Sequence, residues 1–444
     1  MSKKNNPMPF FFIIAILLLP YDAIKGVMPS SYRPISVYFF LIFLILYILK
    51  YRSGIIVNAD IKRSLYFYIY AITVGFVLSV LNTGDPSFFL NQFFSLSMGI
   101  VTFLSVFWGF RKLKKNKFES DEQTIEFLFK LIFIAYLFPI FIWILDILFI
   151  NGHLPFSIKQ FIMTVFGGFQ SNRLTGTTLE ASWLSKHALF IIPVNLYLYK
   201  TLKKKIYLLP ALVGFVTFIL TFSLQGVAYL SGTTILYFFL KGYLNGKLGV
   251  TIKNLIIAIL IISLIAYIFY FITINYLPNT YYSKRLENLT SLQSLLFSDG
   301  SSFIRIGIPI ISVLIFRDNI FGVGLGAYPY YFPMYVNKYF QESLKFNEVQ
   351  KYYFENSAPG GSALLRVLAE FGILGSLIFY NFIIKVYQNV KKIKGFRYNN
   401  YLLFWFSLGV SFLLQEGYAC VQFWLTLGVL SSIKNNERNE KVFK

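Results

Sequence analysis

The sequence predicts an all-α, polytopic integral membrane protein of about twelve transmembrane helices, and three observations predict it. Of its 444 residues, 56% are hydrophobic and only 14% charged, which places it outside the soluble globular classes. The apolar residues gather into stretches close to the ~20 residues a helix needs to cross roughly 30 Å of hydrocarbon. The basic residues are dense in every second connection, as positive-inside anchoring requires.

In chain order the candidate spans are 9–21, 35–49, 65–82, 88–110, 125–149, 183–199, 206–222, 226–240, 254–276, 363–384, 400–415 and 418–433. The first follows Lys3 and Lys4 in the manner of a signal peptide. No small-residue cleavage site comes after it, and Pro20 to Asp22 reads as a helix end, so it counts as a span. With both termini cytoplasmic, the inner ends and connections hold 27 of the 41 Lys and Arg, while Lys130 and Arg366 fall inside spans. The net charge of +22 therefore reads as anchoring against anionic headgroups, not as nucleic-acid binding. Three blocks result: 1–276 with nine spans and an external loop at 150–182, a large external loop at 277–362, and 363–444 with three spans and a cytoplasmic tail. Inside the large loop, 303–316 is apolar, but its 14 residues include Pro309 and extend only about 21 Å as a helix. It reads as an interfacial helix flanked by Arg305 and Arg317. Crossing there would also carry Lys391, Lys392, Lys394 and Arg397 to the outside.

Several chemistries are not supported. Cys420 is alone, and His153 and His187 are the only histidines, with no spacing that would hold zinc. There is no P-loop, and Gly322-x-Gly324-x-Gly326 has neither the Rossmann spacing nor its strand-helix context. No cofactor and no metal is expected. Paired Gly/Pro-broken helices in two matching halves, the mark of many transporters, are not seen.

The polar motifs lie on the external side. Arg173-Leu-Thr-Gly176-x-x-x-Glu180 precedes the sixth span, and Arg305 precedes Gly322-x-Gly324-x-Gly326-Ala-Tyr328 in the large loop. Glu370-x-Gly372-x-x-Gly375 opens the tenth span. In this order, over roughly residues 165 to 380, they resemble the O-antigen polymerase and O-antigen ligase family of bacterial polytopic enzymes. The resemblance implies a GT-C-like glycosyltransferase architecture in the cytoplasmic membrane, with its active site on the external face. It implies glycosyl transfer from an undecaprenyl-diphosphate-linked oligosaccharide without nucleotide sugar or metal. Membrane lipid, a chain-length regulator and a flippase are the partners it implies. Two departures stand out. Ligases typically carry a His near the start of the tenth span, where Asn356-Ser-Ala-Pro359 has none. Relatives often place Ser-Arg between the seventh and eighth spans, where this chain has Ser223-Leu-Gln225-Gly226.

The residues carry a physical argument of their own. A lipid diphosphate is a doubly charged, forked leaving group, and arginine offers five fixed donors matched to such oxygens. Arg173 and Arg305 are the expected catalytic cations; Arg317 is either a third substrate contact or a headgroup anchor. An acceptor hydroxyl needs a base, and the candidate carboxylates are Glu180, Asp318, Glu355 and Glu370. Arg366 and Glu370 share a helix face, so they read as a substrate contact and catalytic carboxylate or as a structural ion pair. Glu180 stands two turns before His187, whose bland reading is a packed, hydrogen-bonded residue. Gly322, Gly324 and Gly326 either bring backbone close to substrate or simply end a helix. Tyr328 and its neighbouring tyrosines either stack on sugar or form an interfacial belt. The reading that collects these is a glycan polymerase. A ligase-type transfer to another acceptor and a lipid-linked oligosaccharide flippase are the alternatives.

Overall fold

The computed structural model describes residues 8–21, 34–51, 56–167, 173–221, 223–244, 248–276, 296–297, 299–358, 361–392, 399–433 and 441–442. Segments 277–295, Ser171–Asn172, Pro359–Gly360 and 393–398 lie outside them, and with them the approach to the large loop and the basic pair Lys394 and Arg397.

Each of the twelve apolar stretches is helical: α1 (Met8–Leu17), α2 (Ile35–Lys50), α3 (Ala59–Thr83), α4 (Pro86–Lys117) and α5 (Asp121–Ile150) are the first five. The short α6 (Phe156–Phe166) comes next, then α7 (Ala181–Leu202), α8 (Leu208–Leu220), α9 (Leu224–Leu244) and α10 (Leu248–Tyr276). After three helices of the large loop, α11 (Gly300–Asp318), α12 (Tyr328–Tyr339) and α13 (Asn347–Phe354), come α14 (Ala363–Lys392), α15 (Asn399–Phe412) and α16 (Val421–Ser432). Among the described residues the one strand pairing is a two-residue antiparallel contact of Ile56–Val57 with Lys441–Val442. Five helices, at 59–83, 86–117, 121–150, 300–318 and 363–389, are long and apolar enough to cross a membrane, and shorter apolar helices accompany them. The protein is an all-helical, multi-pass membrane protein.

Local chemistry sets the ends. Asn58 caps α3 by accepting from the Ile61 amide at 2.9 Å, and Gly84 closes it in the left-handed conformation. Asp85 accepts from the Ser87 amide across Pro86, so the α3–α4 turn is tight. The core is centred on α16, every residue of which is buried. It packs closely on α4, where the Trp424 indole lies against Gly99 and donates to the Tyr418 carbonyl at 2.6 Å.

The 303–316 segment departs from expectation. Asp299 accepts from both the amide and the hydroxyl of Ser302, so the helix starts at Gly300 and runs 19 residues, about 28 Å. Length alone no longer excludes a crossing. The Arg305 carbonyl accepts from Gln415 between α15 and α16, and the Ile320 carbonyl accepts from the Ile373 amide, so α11 runs beside the first turns of α14. The next residues climb back past Ser79 to Phe88, at the α3–α4 end of the bundle, where α12 begins. The buried side chains of α11, Phe303, Ile308, Ile311 and Ile315, join Tyr328, Phe332 and Val336 of α12 and Val349 of α13 in a second apolar core.

Candidate functional site

Arg173, Glu180 and Arg305, separated by up to 132 residues in sequence, line one cavity of about 520 Å³ at the α3–α4 end of the bundle. The volume is in the range of small-molecule sites. Each arrives by a different route.

Arg173 is held through its backbone. Asp146 in α5 and Lys159 in α6 are both fully buried and pair at 2.9 Å. Asp146 also accepts from the amides of Thr175 and Gly176 at 2.9 Å, and Lys159 donates to the Arg173 carbonyl at 2.7 Å. A buried ion pair is costly unless its remaining hydrogen bonds are met. Here the loop meets them, and two helices thereby fix residues 173–176. The Arg173 guanidinium then donates to the Thr221 carbonyl at 3.1 Å, beside the start of α9.

Glu180 occupies the N-cap position of α7, where the helix dipole favours a carboxylate, and it accepts from the Ser182 hydroxyl at 2.9 Å. Arg305 projects from the second turn of α11 and donates to the Ser301 hydroxyl one turn back. Glu348, Lys351 and Tyr352 of α13 form the rim. Burial first, and then the carboxylates Glu348, Glu180 and Glu355, push the Tyr352 hydroxyl above its ordinary range, so it stands at the site as a donor.

Sequence reading missed part of this wall. Glu416 and Gln415, in the connection between α15 and α16, line the cavity together with Gln225 and Trp183. Behind Glu416 stand Lys186, 3.4 Å away and fully buried, and the hydroxyl of Tyr229, donating at 3.0 Å. The available signal was an acidic residue beside Gly417 in the short connection between the last two apolar stretches, with a lysine six residues after Glu180.

The remaining expected site residues lie outside the lining of this cavity. Arg366 and Glu370 pair at 2.8 Å with about 1% and no exposure. Glu370 also accepts from the Gly326 amide at 2.9 Å and the Tyr418 hydroxyl at 2.8 Å, so both carboxylate oxygens are engaged. Arg366 lies over the rings of Tyr328 and Tyr418, and Tyr328 donates to the Ile308 carbonyl. None of these four lines the cavity. Their spacing makes a buried clamp between α11, α12 and α14, the ion-pair alternative read from the sequence.

Gly322, Gly324 and Gly326 pack against α14, α3 and α4 respectively. Gly372 breaks α14 with φ +62°, and the glycine loop supplies the hydrogen bonds that the break leaves open. The amides of Val323 and Gly324 donate to the Ala369 and Glu370 carbonyls at 2.9 and 2.8 Å, and Ile373 donates to Ile320 at 2.9 Å. Freed backbone groups inside a membrane protein need such partners. All three glycines have φ between +84° and +100°, and a Cβ on Gly324 would stand 2.1 Å from the Ser79 amide nitrogen. Arg317 is exposed, pairs with Asp318 at 2.8 Å and donates to the Tyr339 hydroxyl, away from the cavity. Asp318 also accepts from Tyr335, and Glu355 from Ser357, so neither carboxylate reaches the wall. His187 bonds the Tyr136 hydroxyl at 2.6 Å in the core, as its bland reading has it.

Compared with models of known protein families the sequence matches none, and a search of the curated proteins finds no match either.

Proposed function

We propose that this protein polymerises undecaprenyl-diphosphate-linked oligosaccharide repeat units. The convergence of Arg173, Arg305 and Glu180 on one cavity carries the reading, because the external sequence motifs independently point to those residues. All twelve apolar helices cross the bacterial cytoplasmic membrane in a GT-C-like architecture, and the cavity opens on the external face. The two arginines bind the diphosphate of the growing chain. A hydroxyl of the next lipid-linked unit attacks the anomeric carbon, and the sugar–phosphate bond breaks with its electron pair passing to the diphosphate. The hydroxyl proton passes to a carboxylate of the wall. Contacts that strengthen as charge grows on the leaving group lower the barrier rather than merely bind. Neither histidine lines the cavity, and ligases typically use one near this point, which favours polymerase over ligase.

In a strain lacking the gene, completed repeat units are expected to accumulate singly on their lipid carrier outside the membrane. A missing flippase would trap them inside, and a missing ligase would leave long chains on the carrier. The purified protein should convert lipid-linked units into a ladder with a chelator present and no nucleotide added. Full-length polymer on the carrier in the deletion strain removes the polymerase reading.

Topology is testable separately. Reporters fused after Lys115 and Lys204 are expected to sit in the cytoplasm, and those after Gly152 and Lys338 outside. An external signal from Lys115 or Lys204 would reverse the assigned faces.

A further inference from the structure

We infer that Glu416 is the carboxylate that takes the acceptor's proton, and that Lys186 and Tyr229 are its positioning residues; this rests on the polymerase reading above. Three carboxylates belong to the wall. Glu348 is exposed on the rim, and Glu180 caps a helix and is bonded to Ser182. Glu416 is held differently. Its side chain is 11% exposed, and Oε1 faces the Tyr229 hydroxyl at 3.0 Å and the Lys186 ammonium at 3.4 Å, both partners being fully buried. Oε2 takes no hydrogen bond from the described residues, so one oxygen is anchored and the other is left for a ligand in the cavity. A lysine placed in the bundle with no exposure is expensive, and apolar packing would stabilise the fold as well. Opposite a cavity-facing carboxylate it has a use, because its ammonium holds that carboxylate in place where an acceptor is bound.

The backbone sets the distance to the diphosphate clamp. Gln415 donates to the Arg305 carbonyl at 3.1 Å, and the Glu416 carbonyl accepts from the Ala363 amide at 2.9 Å. The turn that carries the base is thus tied to the helix that carries Arg305 and to the start of α14. In the transfer the acceptor oxygen bonds to the anomeric carbon, the carbon–oxygen bond to diphosphate breaks, and the proton moves to Glu416 Oε2 and then to water through the cavity mouth.

The test uses the full chain in phosphatidylglycerol–phosphatidylethanolamine vesicles, with the lipid-linked oligosaccharide that accumulates in the deletion strain as probe. Glu416→Ala and Glu416→Gln should each lower kcat by about 10²-fold or more while KM for the probe stays within a few-fold. Added sodium formate should restore part of the rate to Glu416→Ala and none to Arg305→Ala. Lys186→Arg should retain activity that Lys186→Met loses. Elongation by Glu416→Gln at the unsubstituted rate overturns the inference alone, as does loss of activity that appears wholly in KM or that formate leaves unchanged. No elongation by the unsubstituted protein overturns the polymerase reading itself.

Discussion

Arg173→Ala and Arg305→Ala are each expected to abolish ladder formation, and the lysine variants at either position to keep only part of it. A charge-assisted contact to a phosphate is worth about 1.5–3 kcal/mol. A donor aimed at charge that develops in the transition state costs about 10²- to 10³-fold in kcat when removed. Lysine restores the charge but not the planar fork, so it recovers binding better than orientation. Arg317→Ala should be mild, because Arg317 is exposed and engaged with Asp318 and Tyr339 away from the cavity. Surface pairs of that kind contribute about 0–1 kcal/mol. Quantified extension by each variant at matched protein level checks this. Full activity with both Arg173 and Arg305 changed to alanine takes them out of the mechanism.

Gly324→Ala is expected to be among the most disruptive single-methyl changes at the described residues. The added carbon would lie 2.1 Å from the Ser79 nitrogen and 2.6 Å from the Leu78 carbonyl carbon, where backbone rather than a flexible side chain must give way. The residue also sits at φ +100°, a conformation that costs an L-residue about 1–2 kcal/mol before any clash. Overpacking adds about 1–3 kcal/mol. Gly84→Ala is the matched comparison: it shares a positive φ of +69°, but nothing lies within 4 Å of its added carbon. The purified Gly324→Ala protein should lose several degrees of thermal stability or fail to stay monodisperse in detergent, while Gly84→Ala stays near the parent. Equal behaviour of the two would mean that residues 322–326 do not lie between α3 and α14.

The contrast between the two sets of residues shows what the sequence could convey. Apolar length and alternating charge located all twelve helical stretches, because the demand to bury a backbone in lipid acts on each segment by itself. Arg173, Arg305 and Glu180 were legible because cations and carboxylates in short polar motifs stand out against an apolar chain. Glu416 and Lys186 were not, since their meaning comes from a pairing across 230 residues that no spacing encodes. The length of α11 was underestimated because polar Gly300 to Ser302 look like loop until Asp299 caps them. The glycines were seen, but one property, permission for close backbone approach, serves a sugar and a broken helix equally well. Only the position of Gly372 distinguishes them.

The loop at 320–326 also imposes an order on assembly. Its partners come from distant parts of the chain: the Gly75 carbonyl in α3 accepts from the Leu325 amide, and Ala369, Glu370 and Ile373 in α14 complete the stitch. A ribosome that has finished α12 and α13 has therefore made a segment with only half of its seat. Arg305 reaches its final place when α14 and the Gln415 turn have followed, so the proposed diphosphate clamp is among the last parts of the molecule to be completed. On the proposed reading, a nascent or truncated chain has no complete site with which to act on lipid-linked glycan before its own insertion is finished.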